Sequence, residues 1–371
     1  MLRSCTEAGE RALSDTARTI GELGERALLR HLRARIPAGE GVVVGVGDDA
    51  AAITTGPLTL VTTDVLVEGT HFKLEWAPPR LLGRKALSIS ISDVAAMGGI
   101  PRQAVVSLCL RPEITLEFVD ALYDGLLERA AEAGLSIVGG NLASTTGPIV
   151  VDVTLLGHGD HLLRRKGALP GDRIAVTGML GAAATGLRLL AEGARLDADG
   201  ALMATGLWTE SSRRPIERCL RAQLDPAPPW ILARSLAEQH LVHAAIDLSD
   251  GFSGDLLTVC EDSEVAALID PAALPIDPHA ASLTRARGGD ALGLALHGGE
   301  DYQLLFAVAP EALASVRELA SMWEIPLADV GEFVAGKPGV AQRSSDGVRP
   351  LKPRSHDHFL TTLGMGMTPQ P

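Results

Sequence analysis

Gly45-Val46-Gly47-Asp48-Asp49-Ala50 and Thr62-Thr63-Asp64-Val65-Leu66-Val67-Glu68-Gly69-Thr70-His71-Phe72 decide how this chain is read. Each acidic phrase follows a run of strand type, Gly41–Val46 and Leu58–Thr63, with a Thr-Thr-Gly-Pro turn between the two runs. Carboxylates are thereby placed at strand ends or in the loops that follow. Ser92-Asp93, Asp247-Leu248-Ser249-Asp250-Gly251 and Gly298-Gly299-Glu300-Asp301-Tyr302 repeat the arrangement. Gathered carboxylates repel one another unless cations are present. Hard divalent cations such as Mg²⁺ take oxygen ligands and combine a few carboxylates with substrate phosphates. The pattern therefore points to a Mg²⁺–nucleotide site. Asp is also common in turns, where its side chain bonds nearby backbone groups, and that reading suits Asp160 and Asp172.

The 371 residues favour two domains of ordinary size. A hydrophobic share of 46%, with 40 Gly and 22 Pro, fits a globular, loop-punctuated protein. Aromatics at 3% and a formal charge of −13 argue against a nucleic-acid partner, which would call for stacking rings or a basic face. Cys5, Cys109, Cys219 and Cys260 are widely spaced and form no C-x-x-C pair, so reduced thiols are expected rather than a zinc site or disulfide framework. The first residues lack the apolar core of a signal peptide, and no apolar stretch reaches membrane-spanning length. A cytoplasmic protein with no membrane partner is expected.

Residues 1–21 read as a flexible polar extension, followed by a helix near Glu22–Arg35. Residues 79–98 are ambiguous: Ser88-Ile89-Ser90-Ile91-Ser92 alternates like a strand, while its flanks favour a helix stopped by Gly98-Gly99. Arg102–Leu110, Ser136–Val138 and Ile149–Gly157 read as strands and Leu116–Ala133 as an amphipathic helix. Beyond a boundary near residue 160 come strand Arg173–Thr177, a helix from Leu180, helix Trp230–Gln239, strand Ala244–Leu248 and helix Gly254–Asp262. Residues 197–228 contain charged and Pro-rich stretches, and 336–353 read as a loop. Both halves mix strands and helices, an α/β (α+β) pattern.

Taken together and in order, the five acidic phrases, Leu87-x-x-x-x-Ser92-Asp93-Val94-Ala95-Ala96-Met97-Gly98 and the closing Asp357-His358-Phe359 resemble the thiamine-monophosphate kinase family. That family belongs to the superfamily of aminoimidazole ribonucleotide synthetase and selenophosphate synthetase. The resemblance runs from about Glu22 to Phe359. It implies a two-domain ATP-binding fold, with an N-terminal domain (22–158) that pairs through its sheet in a homodimer and a C-terminal α/β domain (159–371). It also implies ATP-dependent phosphorylation of thiamine monophosphate to thiamine diphosphate with several Mg²⁺ ions.

Carried over residue by residue, the resemblance makes Asp49, Asp64, Asp93, Asp247 and Asp250 metal-binding carboxylates, with Thr62 and Thr63 as supporting oxygens. It places Gly140, Asn141, Arg165 and Ser249 against ATP, and His71, Glu300 and His356 against the thiamine phosphate. Two positions depart from the family. Asn141 stands where a third residue of Gly-Gly-Asp is usual, which removes one negative charge from a position that the resemblance also assigns to metal. His356 stands where an aromatic residue usually precedes Asp-His-Phe. The chemistry agrees with such a site: a phosphate nucleophile is already ionised at neutral pH, so positioning and metal bridging matter more than a general base. The departures leave open an enzyme acting on a different acceptor, or a non-catalytic binder of nucleotide or thiamine phosphate.

Overall fold

The structure, a computed structural model, describes residues 19–23, 25–37, 39–44, 51–56, 58–203 and 209–354. Asp49 and His356 lie outside the described residues, as do most of the N-terminal extension and Asp357-His358-Phe359.

Helices α1 (Ile20–Leu23) and α2 (Glu25–Arg35) precede a short antiparallel pair, β1 (Val42–Val44) and β2 (Ala52–Ile53). Next come β3 (Thr59–Val67), α3 (Pro79–Ala96), β4 (Ile100–Leu110), α4 (Leu116–Ala133), β5 (Ser136–Ser144) and β6 (Val150–His158). Their strands form a four-stranded sheet in the order β3-β6-β4-β5. Strands β4 and β5 run parallel, as the α4 crossover between them requires, and the other pairs are antiparallel.

One face of this sheet is covered. Ala104, Val106, Leu108 and Leu110 alternate inward along β4 and are buried with residues of α3 and α4. The two helices approach closely because each has a glycine at the crossing. A Cβ on Gly83 would stand 2.0 Å from the Leu122 carbonyl oxygen, and one on Gly125 would stand 1.8 Å from that of Arg80. The opposite face is open, with Val61 67% and Val65 45% exposed.

The ambiguous stretch 79–98 is helix α3, and its burial explains its pattern. The helix contacts β3, β4 and β6 of the first sheet and also β8 (Ala244–Asp247) of the second half. A helix buried on several sides loses the single apolar stripe by which an amphipathic helix is recognised.

The second half contains β7 (Arg173–Thr177), α5 (Ala182–Ala191), α6 (Glu210–Leu224), α7 (Trp230–Glu238), β8, α8 (Phe252–Ser263), β9 (Ala266–Ile269) and α9 (Pro278–Ala286). It closes with α10 (Ala291–His297), β10 (Leu304–Val308), α11 (Leu313–Met322), β11 (Leu327–Val334), β12 (Gly339–Ser344) and β13 (Gly347–Pro350). Its seven-stranded sheet has the order β13-β12-β9-β11-β7-β10-β8 and is antiparallel except where β12 pairs with β9.

Two elements differ from the sequence reading, and a third lies where it assigned none. Residues 336–353 are not a loop but hold the hairpin β12–β13; β13 is exposed at all four positions, so no apolar alternation marks it. The stretch 197–228 contains α6, whose Ile216, Cys219, Leu220, Gln223 and Leu224 repeat at helical spacing despite Pro215. Strand β5 continues past Val138 through Gly139, Gly140 and Asn141, residues poor in strand propensity. A Cβ on Gly140 would lie 2.1 Å from the Val106 carbonyl oxygen, so β5 can lie against β4 only without one.

Candidate active site

Helix α3 lies between the two sheets and holds a carboxylate from each. Ser90 Oγ donates to Asp64 Oδ2 at 2.8 Å, reaching β3. Ser92 Oγ donates to Asp247 Oδ2 at 2.8 Å, reaching the end of β8. Residues two apart on a helix point about 200° apart, so the strand-like serine alternation serves two opposite sides. Asp93, next on the helix, accepts from Thr62 Oγ1 of β3. The hydroxyls thus hold Asp64, Asp93 and Asp247, from three separate elements, in mutual electrostatic reach.

This cluster is short of positive charge. Burial, then the neighbouring Asp93, raises the Asp64 carboxyl to about 6. The same two causes raise Asp247 to about 7, and burial raises Asp93. Arg165 opposes the rise at Asp93 and Asp247 and so stands within electrostatic reach of both. The donor set of three carboxylates and a threonine hydroxyl is what hard divalent cations take. Among the described residues no group of three or more Asp, Glu, His or Cys side chains is arranged to hold a metal ion without further ligands. An open set of this kind fits Mg²⁺, which keeps waters and takes phosphates as further ligands.

Two loops border the cluster. Strands β8 and β10 are neighbours, with Asp247 paired to Leu304, so the phrases Asp247–Gly251 and Gly298–Tyr302 lie side by side. The second is strapped to the first: Glu300 N donates to Ser249 O at 2.7 Å and Tyr302 N to Leu248 O at 2.9 Å. Glu300 and Tyr302 have φ of +58° and +48°, sparsely populated for residues with a Cβ. Such strain persists where the surroundings over-determine it and is characteristic of functional loops.

Glu300 is held by both halves of the chain. Lys85 Nζ of α3 donates to Oε1 at 2.6 Å, and Gln223 Nε2 of α6 donates to Oε2 at 2.5 Å. Burial pushes this carboxyl up, but the Lys85 charge and the two hydrogen bonds outweigh it and leave Glu300 below its ordinary value. His71 lies in electrostatic reach and lines an adjoining cavity with Phe72, Trp76, Lys85, Leu187 and Gln223. Its Nδ1 accepts from Val67 N at 3.0 Å, which places the proton of the neutral ring on Nε2.

The other expected residues divide. Asp250 is exposed beside buried Asp255, whose Oδ2 accepts from Gly251 N at 3.1 Å and whose carboxyl burial raises to about 8. Thr63 faces away from the cluster, bonding Asp152 and Thr154 on β6. Asn141 is in register with Ser107, which is itself in register with Asp152, on the same open face. Gly140 serves the close approach of β5 to β4. Asp172 is a turn residue, as read, accepting from Leu169 N at 2.8 Å and bonding His243. Lys85, Gln223 and Asp255 were missed, and Asp301, inside a quoted acidic phrase, was given no role. Asp301 receives Gly181 N at 3.1 Å at the start of α5, and burial raises it to about 7. Lys85 follows Arg84 in a helix that also holds Arg80, so no local signal set it apart.

Residues 47–158 match the family model of the AIR synthase related protein N-terminal domain, and residues 170–343 match that of its C-terminal domain. A thiamine-monophosphate kinase of Rhodopirellula baltica is 33% identical over 328 residues, 86% of this chain and 92% of the relative. The chain belongs to the thiamine-monophosphate kinase family. Within that family, the crystal structure of the Stenotrophomonas maltophilia enzyme is similar with a TM-score of 0.74 and 33% identity, covering 85% of this chain and 95% of that one. A solved complex of AaThiL with AMPPCP and TMP has a TM-score of 0.71 and 28% identity, covering 93% and 100%. The family's fold thus accounts for both sheets and for the loops at their seam.

Proposed function

We propose that this chain transfers a phosphoryl group from ATP to thiamine monophosphate, giving thiamine diphosphate, with Mg²⁺ held at Asp64, Asp93 and Asp247. The observation that carries this reading is the cluster itself: three carboxylates on three elements, oriented by hydroxyls and short of cationic partners. Mg²⁺ bound there supplies charge neutralisation and alignment of the reacting phosphates. The acceptor phosphate is ionised at neutral pH and requires no general base, in keeping with a site built from metal-ligating oxygens. Arg165 adds a fixed guanidinium charge for nucleotide phosphates, and Ser249 and Asp250 border the same place. Asp49 and His356 complete the metal and acceptor sets by resemblance.

The acceptor belongs beside Glu300 and His71, where an ionised carboxylate adjoins an apolar cavity, a setting suited to a cationic heterocycle. The open face of the first sheet, with exposed Val61 and Val65, supports pairing of two copies through residues 22–158, while 159–371 form the second domain. Thr63 and Asn141 lie on that face and enter the site through the pairing. No helix among the described residues is long and apolar enough to cross a membrane, and the acidic charge gives nucleic acid no basic face. A cytoplasmic enzyme fits both facts. Incubation with ATP, Mg²⁺ and thiamine monophosphate, followed by chromatography of the products, tests the reading. Thiamine diphosphate formation with matching loss of ATP supports it. ATP binding without that product would transfer the site to another acceptor.

A further inference from the structure

Adjacent threonines of β3 each orient a carboxylate, one on either face of the first sheet. Thr62 Oγ1 donates to Asp93 on the face covered by α3, as part of the seam cluster. Thr63 Oγ1 donates to Asp152 Oδ1 at 3.2 Å on the open face. Asp152, half-buried on β6, is the charged member of a polar row across that face. It is in register with Ser107 of β4, which is in register with the exposed Asn141 of β5. Thr63 meets the row from β3, bonding Thr154 at 3.1 Å as well as Asp152. The hydroxyls and the amide are neutral, and among the described residues no Lys, Arg or His side chain is paired with Asp152. The Asp64 carboxyl, raised by burial and then by Asp93, is raised further by Asp152, which therefore stands in electrostatic reach of the seam.

Mg²⁺ is commonly held by one or two carboxylates plus substrate phosphates, and it keeps several waters. One unneutralised carboxylate among neutral oxygen donors is such a set, with the phosphates left to supply the rest. Neighbouring strands lie about 4.8 Å apart, so Asp152 and Asn141 flank Ser107 with about 10 Å between their Cα atoms. An ion carrying waters and phosphate oxygens fills a gap of that size, and side chains at both ends of the row address it.

We propose that Asp152 is a further metal ligand, holding together with the oxygens of Thr63 and Asn141 a Mg²⁺ ion that the nucleotide phosphates bring to the open face. This rests on the function proposed above, in which Thr63 and Asn141 enter the site through the pairing of two copies. Asp152 is then to the open face what Asp93 is to the seam: a carboxylate aimed by a β3 threonine and left without a cation of the protein's own.

The test uses the full chain with a non-hydrolysable ATP analogue and Mn²⁺ as the probe. Mn²⁺ takes the octahedral oxygen ligands that Mg²⁺ takes, and its free form is counted by electron paramagnetic resonance. Salt at about 0.3 M screens charges acting from a distance and leaves direct ligation in place. Asp152→Asn keeps the shape and the acceptor for Thr63 while removing the charge, and it should weaken one bound Mn²⁺ by about tenfold or more. Adding Asn141→Asp to that variant returns a carboxylate to the row and should bring the affinity to within about threefold of wild type. Unchanged Mn²⁺ binding in Asp152→Asn, or weakened binding that Asn141→Asp does not restore, overturns the assignment, as does a wild type that binds no Mn²⁺. Should Asp152→Asn not fold, Asp152→Ser is read by the same outcomes. Thiamine diphosphate formation by wild type is measured in parallel: its absence overturns the kinase reading, while the Mn²⁺ titrations still decide Asp152.

Discussion

Asp64, Asp93 and Asp247 sit at the seam between the sheets, and Glu300 sits one loop away, yet their carboxyls end on opposite sides of the ordinary range. Burial raises all four. The difference is a fixed cation in contact: Lys85 stands 2.6 Å from Glu300, while the cluster has Arg165 in electrostatic reach and hydroxyl hydrogen bonds at close range. Serine and threonine hydroxyls orient a carboxylate without neutralising it. One acidic place has a cation in contact as the protein folds, and the other has hydroxyl partners and Arg165 at longer reach. The first suits recognition of an acceptor, the second metal-assisted phosphoryl transfer.

The largest effect is expected at Asp64. Asp64→Ala removes a carboxylate from the place proposed to hold Mg²⁺ and should reduce kcat by on the order of a thousandfold, several kcal/mol of barrier, with the fold intact. Steady-state kinetics at saturating Mg²⁺, alongside circular dichroism, checks this; near wild-type turnover would remove Asp64 from the site.

Lys85→Met removes the cation from the other place. Lys85 is buried and Glu300 half-buried, so losing the ammonium leaves a partly solvated carboxylate uncompensated, and a destabilisation of about 1–2 kcal/mol is expected in denaturant unfolding. The Glu300 carboxyl should also rise above its ordinary value. A variant as stable as wild type would show that Glu300 does not depend on that ammonium.

The pH dependence of stability separates the two places further. Asp64 at about 6 and Asp247 at about 7 lie above their unfolded value of 3.8, so the metal-free folded chain binds more protons than the unfolded chain. Their contribution to stability is present in full below pH 3.8 and is lost as pH rises through 6 and 7. Mg²⁺ should offset that loss, so midpoints measured with chelator and with Mg²⁺ should diverge as pH rises from 5 to about 8. Parallel curves would contradict a metal at the cluster. The smallest effect is expected at Asn141, where Asn141→Asp should lower the Mg²⁺ concentration for half-maximal activity several-fold, by about 1 kcal/mol. Superimposable Mg²⁺ titrations would show that this position is remote from the metal in the assembled enzyme.

The acidic phrases were legible because carboxylates in order along a chain keep their spacing whatever the fold does around them. Asp64, Asp93 and Asp247 do come together, and Glu300 and His71 do share a neighbourhood. The groups that finish those places were not legible. Lys85 and Gln223 stand 215 and 77 positions from Glu300 and meet it through packing of α3 and α6, which no local spacing encodes. Side-chain direction was equally hidden: Thr62 and Thr63 are adjacent, but a strand turns successive residues to opposite faces, so Thr62 meets Asp93 while Thr63 meets Asp152. In the fold, Leu116–Ala133 is a helix over the span expected, with a Thr115 cap and a left-handed Gly134 stop. Hairpin β12–β13 escaped notice because exposed edge strands carry no buried stripe.

On the proposed function, the seam cluster stays partly protonated until a divalent cation binds. Mg²⁺ titrated into wild type near pH 6.5, in two buffers of different ionisation enthalpy, measures the protons displaced. Net proton release that shrinks in Asp247→Asn is predicted, because Asp64 and Asp247 at about 6 and 7 are partly protonated at that pH and must ionise to bind the ion. Binding with no proton release, or with release unchanged in Asp247→Asn, would contradict it.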